Sequence, residues 1–234
     1  MLSYAHGAGE EPLLGETIGA NLERTVARVP DADALVSVHQ GIRYTYAEFG
    51  AAVGLLAGGM LAAGLERGDR VGMWGPNRSE WALVQYATAK LGVIVVNINP
   101  AYRTSELEYA LGQSGCRFLF AARGVKGSDF AAMVDQVRPN LPGLERAVFF
   151  ETPGWDEIAS GGASVDDVRA ALRELQCDDP VNIQYTSGTT SSPRARRSPT
   201  TTSSTTRARS RCCSAIASLT ASASRSRCTT ASGW

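Results

Sequence analysis

Apolar residues recur three and four positions apart at Ile18, Leu22, Val26 and Val29, which predicts an amphipathic helix over residues 17–29, stopped by Pro30. Short β-branched runs at 34–38 and 43–45 flank Gln40-Gly41, the pattern of a hairpin. Thr45 and Glu48 have capping-box spacing, and Phe49, Val53, Leu56, Met60 and Leu61 form an apolar stripe ending at Gly64. Residues 71–74 read as a buried strand. Asn77 with Glu80 is expected to cap a helix containing Trp81, Val84 and Leu91, closed by Gly92. The continuous run Val93-Ile94-Val95-Val96 suits a strand covered on both faces. Ser105 and Glu108 are expected to open the next helix. Strands at 117–121, 146–150 and 181–185 then alternate with helices at 128–137 and 165–175. Such alternation predicts an α/β fold with a mostly parallel sheet flanked by helices.

The pattern stops near Thr190. From Ser191 to Trp234 the chain is Ser, Thr, Arg, Ala and Cys with no Asp, Glu or Lys and hardly any large apolar residue, so no core is expected there. The reading is therefore a loose arm over 1–15, one foldable unit over 16–190, and a Ser/Thr/Arg-rich tail over 191–234 without packed structure. The tail holds eight of the 23 basic residues and none of the 23 acidic ones, leaving the body at −8. An acidic body argues against a specific nucleic-acid partner, and the basic tail alone would attract polyanions without selectivity. Cys116 and Cys177 are the only body cysteines, which gives no disulfide framework and no metal-ligand spacing and fits a cytoplasmic setting. No signal peptide and no membrane-spanning run is read. His6 and His39 lack the context of a catalytic base, and Asp31, Asp33, Asp166 and Asp167 suit helix starts or solvated loops.

The chemistry-bearing segment is Val181-Asn182-Ile183-Gln184-Tyr185-Thr186-Ser187-Gly188-Thr189-Thr190, an extended run feeding a Gly, Ser and Thr turn. Backbone amides and hydroxyls in such a turn can cradle phosphate, although the composition alone equally describes a solvated loop. Read as a string, with Asp178-Asp179-Pro180 leading in, it closely resembles the phosphate loop of the adenylate-forming enzymes, and among them the fatty acyl-CoA synthetases. The ordered set Gly68-Asp69-Arg70-Val71, Asn77, Trp81, Ala89, Gly92, Asn97, Pro100 and Tyr102 resembles the amino-terminal part of the same enzymes. Taken singly, Trp81 reads as core and Asn97 to Pro100 as a strand-ending turn.

The resemblance implies the amino-terminal part of the large domain of that family. It implies ATP-dependent activation of a carboxylic acid, here a fatty acid, to an acyl-adenylate and its transfer to coenzyme A, with Mg²⁺ accompanying the nucleotide. Thr186, Ser187, Gly188, Thr189 and Thr190 match the loop and are assigned to ATP phosphate binding, and no catalytic or metal-ligating residue is assigned. The family continues Gly-X-Pro-Lys-Gly, whereas this chain continues Ser191-Ser192-Pro193-Arg194-Ala195, without the Lys and the last Gly. The chain as written is therefore expected to be inactive by itself.

The departure has a reading of its own. If each codon is taken as the last base of one residue and the first two of the next, Pro193-Arg194-Ala195 can encode Lys-Gly. In the same shifted frame Pro199 to Thr206 allows Ser-His-His-Asn-Ile-Leu-Asn-Asn, and Cys228 to Trp234 allows Leu-Tyr-His-Ser-Phe-Gly-Met. Both resemble segments that follow the loop in acyl-CoA synthetases, in the right order. Alternatives stay open: an aryl-acid or peptide-synthetase type of adenylate-forming ligase, or a non-enzymatic fragment with a basic tail. A Rossmann oxidoreductase is disfavoured, since no Gly-X-Gly-X-X-Gly follows an early strand.

Overall fold

The computed structural model describes residues 14–125, 127–186 and 194–199. Helix α1 (Ile18–Arg28) leads to the hairpin β1 (Asp33–Ser37) and β2 (Ile42–Thr45), then α2 (Tyr46–Ala62). There follow β3 (Arg70–Trp74), α3 (Ser79–Leu91), β4 (Ile94–Ile98), α4 (Thr104–Ser114) and β5 (Phe118–Ala121). A two-residue pair, β6 (Gly124–Val125) and β7 (Ser128–Asp129), precedes α5 (Phe130–Val137) and β8 (Arg146–Phe149). Helices α6 (Pro153–Ala159) and α7 (Val165–Arg173) lead to β9 (Pro180–Thr186) and β10 (Arg194–Pro199). The central sheet has the order β10-β9-β4-β3-β5-β8, parallel throughout except for β10, which runs antiparallel to β9. The α/β architecture expected from the alternation of elements is thus the one found.

Chain order decides where the helices go. The step from β3 to β4 moves one way across the sheet and the step from β4 to β5 moves back past β3. Right-handed crossovers in opposite directions put α3 and α4 on opposite faces. On the α4 face, a side chain at Gly72 would press on Leu111, Leu119 and Ile98, so the glycine lets α4 sit close to the strands. Val71, Met73 and Val95 alternate to the other face and are fully buried. Helices α2, α3 and α7 pack on one another, with α1 against α2 and α3 and α6 against α2. Trp74 at the carboxyl end of β3 stacks on Phe130 at 3.7 Å, and its indole N–H donates to the Asn99 carbonyl at 3.1 Å. That bond satisfies the one polar group of a fully buried side chain.

Several local signals act as expected. The Glu48 amide donates to Thr45 Oγ1 at 3.2 Å and the Thr45 amide to Glu48 Oε2 at 2.8 Å, a complete capping box. Gly92 takes the left-handed conformation that ends α3, also as expected, while Thr17 as the cap of α1 and Ser164 in a box with Asp167 at α7 are additions the structure makes.

Other expectations are corrected. Helix α3 starts at Ser79, not under an Asn77 cap, because the Ser79 amide donates to Gln40 Oε1 at 2.8 Å and so takes its acceptor from the hairpin region. Helix α4 starts at Thr104, ahead of the Ser105 and Glu108 register, with Glu106 Oε2 accepting from the Arg103 amide at 2.9 Å. Glu108 instead accepts from Asn140. Helix α5 begins at Phe130 behind an Asp129 cap. The seven-residue α6 carries too short a pattern to be read from sequence, although Pro153 at its first turn is a start signal. Within the tail, expected to lack structure, residues 194–199 form β10, which occupies the edge that β9 would otherwise leave open. The rest of the tail and the arm up to residue 13 lie outside the described residues.

Among the described residues no helix is long and apolar enough to cross a membrane, and no three His, Cys, Asp or Glu gather as a metal site. Cys116 is buried, and burial pushes its thiol up to about 12 from 9.0, with Ser114 opposing only in part. At pH 8 such a thiol holds about a thousandfold less thiolate than an ordinary one. Iodoacetamide is therefore expected to modify half-buried Cys177 in the native chain and Cys116 only after unfolding. Peptide mass spectrometry of timed samples checks this order.

Candidate phosphate-binding site

Strand β9 delivers the phosphate-loop string. Val181, Ile183 and Tyr185 are buried on the α4 face, where the Tyr185 hydroxyl donates to the Ala110 carbonyl at 3.0 Å. Burial pushes that phenol up to about 12, so it remains a neutral donor. Asn182 and Gln184 alternate to the opposite face, Asn182 buried and Gln184 exposed. The register with β4 pairs Val95 with Asn182, Val96 with Ile183 and Asn97 with Gln184.

Thr186 is the last residue of β9, at the carboxyl end of the parallel strands, and Arg194 of β10 stands opposite it. The other residues assigned to phosphate, Ser187, Gly188, Thr189 and Thr190, lie outside the described residues, as does the Thr186 side chain. What the structure shows is the place from which the loop departs. The chain leaves β4 toward β5 on one side and leaves β9 toward β10 on the other. In open α/β sheets ligands usually bind in the crevice outside the carboxyl ends of the parallel strands, the end at which β9 stops.

Asn97 and Gln184 stand opposite each other near this end. Asn97 Nδ2 donates to Gln184 Oε1 at 2.9 Å, while the buried Asn97 Oδ1 has no hydrogen-bond partner among the described residues. An unsatisfied buried carbonyl is uncommon and calls for a donor. Asn97 lies inside β4, not in the strand-ending turn expected for it; the turn begins at Asn99, whose Oδ1 accepts from the Ala101 amide at 2.9 Å. The sequence signal was a single polar residue in the apolar run from Val93 to Ile98. Nearby, burial and the charge of Glu106 raise the Tyr102 phenol. Trp81 is half-buried and packs on the core, as its sequence reading held.

A second polar cluster lies beyond β3 and β8. Arg78 pairs with Glu80 at 2.8 Å and with Glu151 at 2.5 Å, and Gln40 Nε2 donates to Glu80 Oε2 at 2.9 Å. Burial of Glu80 acts to raise its carboxyl, but the bonds from Arg78 and Gln40 outweigh it and hold the group below its ordinary value. The hydrogen bond to Glu80 likewise raises Arg78. His39 sits at 3.3 Å from the Ser37 hydroxyl, at the hairpin and away from the carboxyl ends of β4 and β9.

Residues 22–195 match the model of the AMP-binding enzyme family. The chain is 41% identical over 212 residues to the mitochondrial medium-chain acyl-CoA ligase ACSF2 of Danio rerio, covering 82% of this chain and 35% of that protein. Its identity to the Homo sapiens protein of that name is 38% over 214 residues, with the same coverage. The chain thus spans about a third of the length of these relatives. Among solved structures, the Mycobacterium tuberculosis fatty acyl CoA synthetase superposes with a TM-score of 0.67 at 27% identity, over 79% of this chain and 34% of that one. The N-terminal domain of FACL13 from the same organism gives 0.69 at 26% identity, over 79% and 44%. A family match over residues 22–195 and relatives near 40% identity over most of the chain place this chain in the AMP-binding enzyme family.

Proposed function

We propose that the chain is the amino-terminal portion of a fatty acyl-CoA synthetase, in which Thr186, Ser187, Gly188, Thr189 and Thr190 hold the phosphates of ATP. The observation that carries this reading is the position of β9: it ends at the carboxyl end of the parallel strands, beside β4, where polar Asn97 meets Gln184. The unpaired Asn97 Oδ1 suits a polar occupant there. Activation of a carboxylate requires charge on the phosphates to be offset while a weak nucleophile attacks, and preorganised amide and hydroxyl donors supply that without a protein nucleophile. Gly188 allows the backbone to approach phosphate closely. Mg²⁺ would arrive with the nucleotide, and coenzyme A would take the acyl group in the second half-reaction. The carboxylic acid is read as a fatty acid, and the names of the relatives favour medium chain length. A cytoplasmic setting remains part of the proposal, resting on the absence of a disulfide framework in the pattern of body cysteines.

Beyond Thr190 the composition changes while the family pattern, shifted by one base, continues, so the tail is read as out of frame. The test is to sequence the gene across the codons for Thr190 to Ser192 and to assay two proteins for fatty-acid-dependent pyrophosphate release. The chain as written is expected to show none. A protein with the frame restored through Lys-Gly and onward is expected to release pyrophosphate with fatty acids and not with aryl acids. Failure of the restored protein with every acid offered would overturn the assignment.

A further inference from the structure

The apolar pattern of β9 leaves its position along β4 undetermined. Val181, Ile183 and Tyr185 are all apolar-faced and buried, and Asn182 and Gln184 are both polar. A slip of one residue would exchange the faces and is forbidden, but a slip of two preserves them. Such a slip would move the strand's carboxyl end by about 6.6 Å along the sheet. Something outside the alternation must select one register.

Arg67 is placed to do so. It lies in the turn between α2 and β3, with its guanidinium held against the segment that leads from α7 into β9. Its Nη2 donates to both carboxylate oxygens of Asp179, at 2.9 and 2.8 Å, and its Nη1 donates to the Glu174 carbonyl at 3.2 Å. Asp179 Oδ2 also accepts from the Gln176 amide at 2.9 Å, so one carboxylate closes the turn and joins it to Arg67. The arginine is itself fixed: the Gly68 amide donates to the Gly92 carbonyl at 2.9 Å and the Ile94 amide to the Asp69 carbonyl at 2.7 Å, which ties its turn to the start of β4. Gly92 makes room for this junction, since a side chain there would strike Leu175 and the Arg67 stem. Asp179 immediately precedes β9. Through Arg67, the amino end of β9 is therefore referenced to the amino end of β4, the strand against which it must register.

We propose that Arg67 and Asp179 form a register clamp that sets how far β9 advances along β4, and thereby where its last residue, Thr186, comes to lie. The loop's role rests on the function proposed above; the clamp on β9 does not. Arg67 acts through Asp179 and touches no substrate, so it is a positioning residue. Nη2 on the Asp179 carboxylate and Nη1 on the Glu174 carbonyl hold the planar guanidinium in one orientation, which the single ammonium of a lysine cannot reproduce.

Hydrogen–deuterium exchange on the full chain, read by strand, tests the clamp. Arg67→Ala and Asp179→Asn are each expected to speed exchange across residues 181–185 by about tenfold or more while 70–74 and 118–121 keep their rates. Arg67→Lys is expected to recover only part of the protection, and Arg67→Asp with Asp179→Arg to recover more than either single change. Equal acceleration in all strands, or none at 181–185, would overturn the clamp and leave the pair as a surface contact. Binding of ATP to the unaltered chain is measured in parallel. If ATP binds, the two single variants are expected to weaken it at least as much as they speed exchange, and undiminished affinity would overturn any effect of the clamp on the nucleotide site. If the unaltered chain binds no ATP, exchange alone decides the clamp.

Discussion

Replacing Gly59 by alanine is expected to destabilise the fold by about 3 kcal/mol or more, a large share of the roughly 5–15 kcal/mol that holds a domain together. A β-carbon at Gly59 would lie 1.8 Å from the Ile158 carbonyl oxygen, 2.7 Å from its carbonyl carbon and 3.0 Å from its α-carbon. All three are backbone atoms of α6, so no rotamer change can relieve the clash. Helix α6 would have to withdraw, and with it Ile158 and Trp155, whose ring meets Phe150 and Phe120 edge-on. Gly54 in the same helix supplies the control. Nothing lies within 4 Å of a β-carbon there, so Gly54→Ala is expected to stabilise by about 0.5–1 kcal/mol through helix propensity alone. Urea midpoints of the two variants should move in opposite directions, and a Gly59→Ala midpoint at or above that of the unaltered chain would contradict the backbone contact.

Glu80→Gln is expected to cost about 3 kcal/mol at neutral pH, because it leaves the largely buried Arg78 without its buried carboxylate. Glu151 remains, but it is mostly exposed and offers weaker compensation. The same change should alter the pH profile. The Glu80 carboxyl is lowered in the folded chain from its ordinary 4.5, so the unfolded chain binds more protons as the medium turns acid. Its contribution is present in full above about pH 4.5 and is lost as pH falls through the lower folded value. Stability of the unaltered chain should therefore fall more steeply below about pH 4.5 than stability of the glutamine variant. Urea unfolding at several pH values reads both slopes, and parallel curves would show that Glu80 gains nothing from its partners.

What the sequence could announce depended on how local the cause was. Thr45 with Glu48 satisfies amides three residues away, and that cap was legible; Ser164 with Asp167 does the same, where only the acid at a helix start had been read. Asn77 misled because the acceptor for the Ser79 amide comes from Gln40, 39 residues distant. Ser105 and Glu108 misled because a second acid, Glu106, reaches the Arg103 amide and sets the start earlier. The parallel strands were legible from β-branched runs, but their spatial order was not, since it depends on crossovers. The string from Val181 to Thr190 was legible because it is contiguous, and its first part is found as the strand expected, β9. Its neighbour Asn97 was not, because the contact with Gln184 spans 87 residues and exists only once β4 and β9 lie side by side.

The pairing of Thr186 with Arg194 has a consequence for how failure at the site would show itself. Between paired strand ends the free energy of closing a connection changes by only about 0.1 kcal/mol for one residue gained or lost at a length of about seven. The pairing of β9 with β10 is therefore expected to tolerate such changes with little loss of stability, and a thermal melt would not report them.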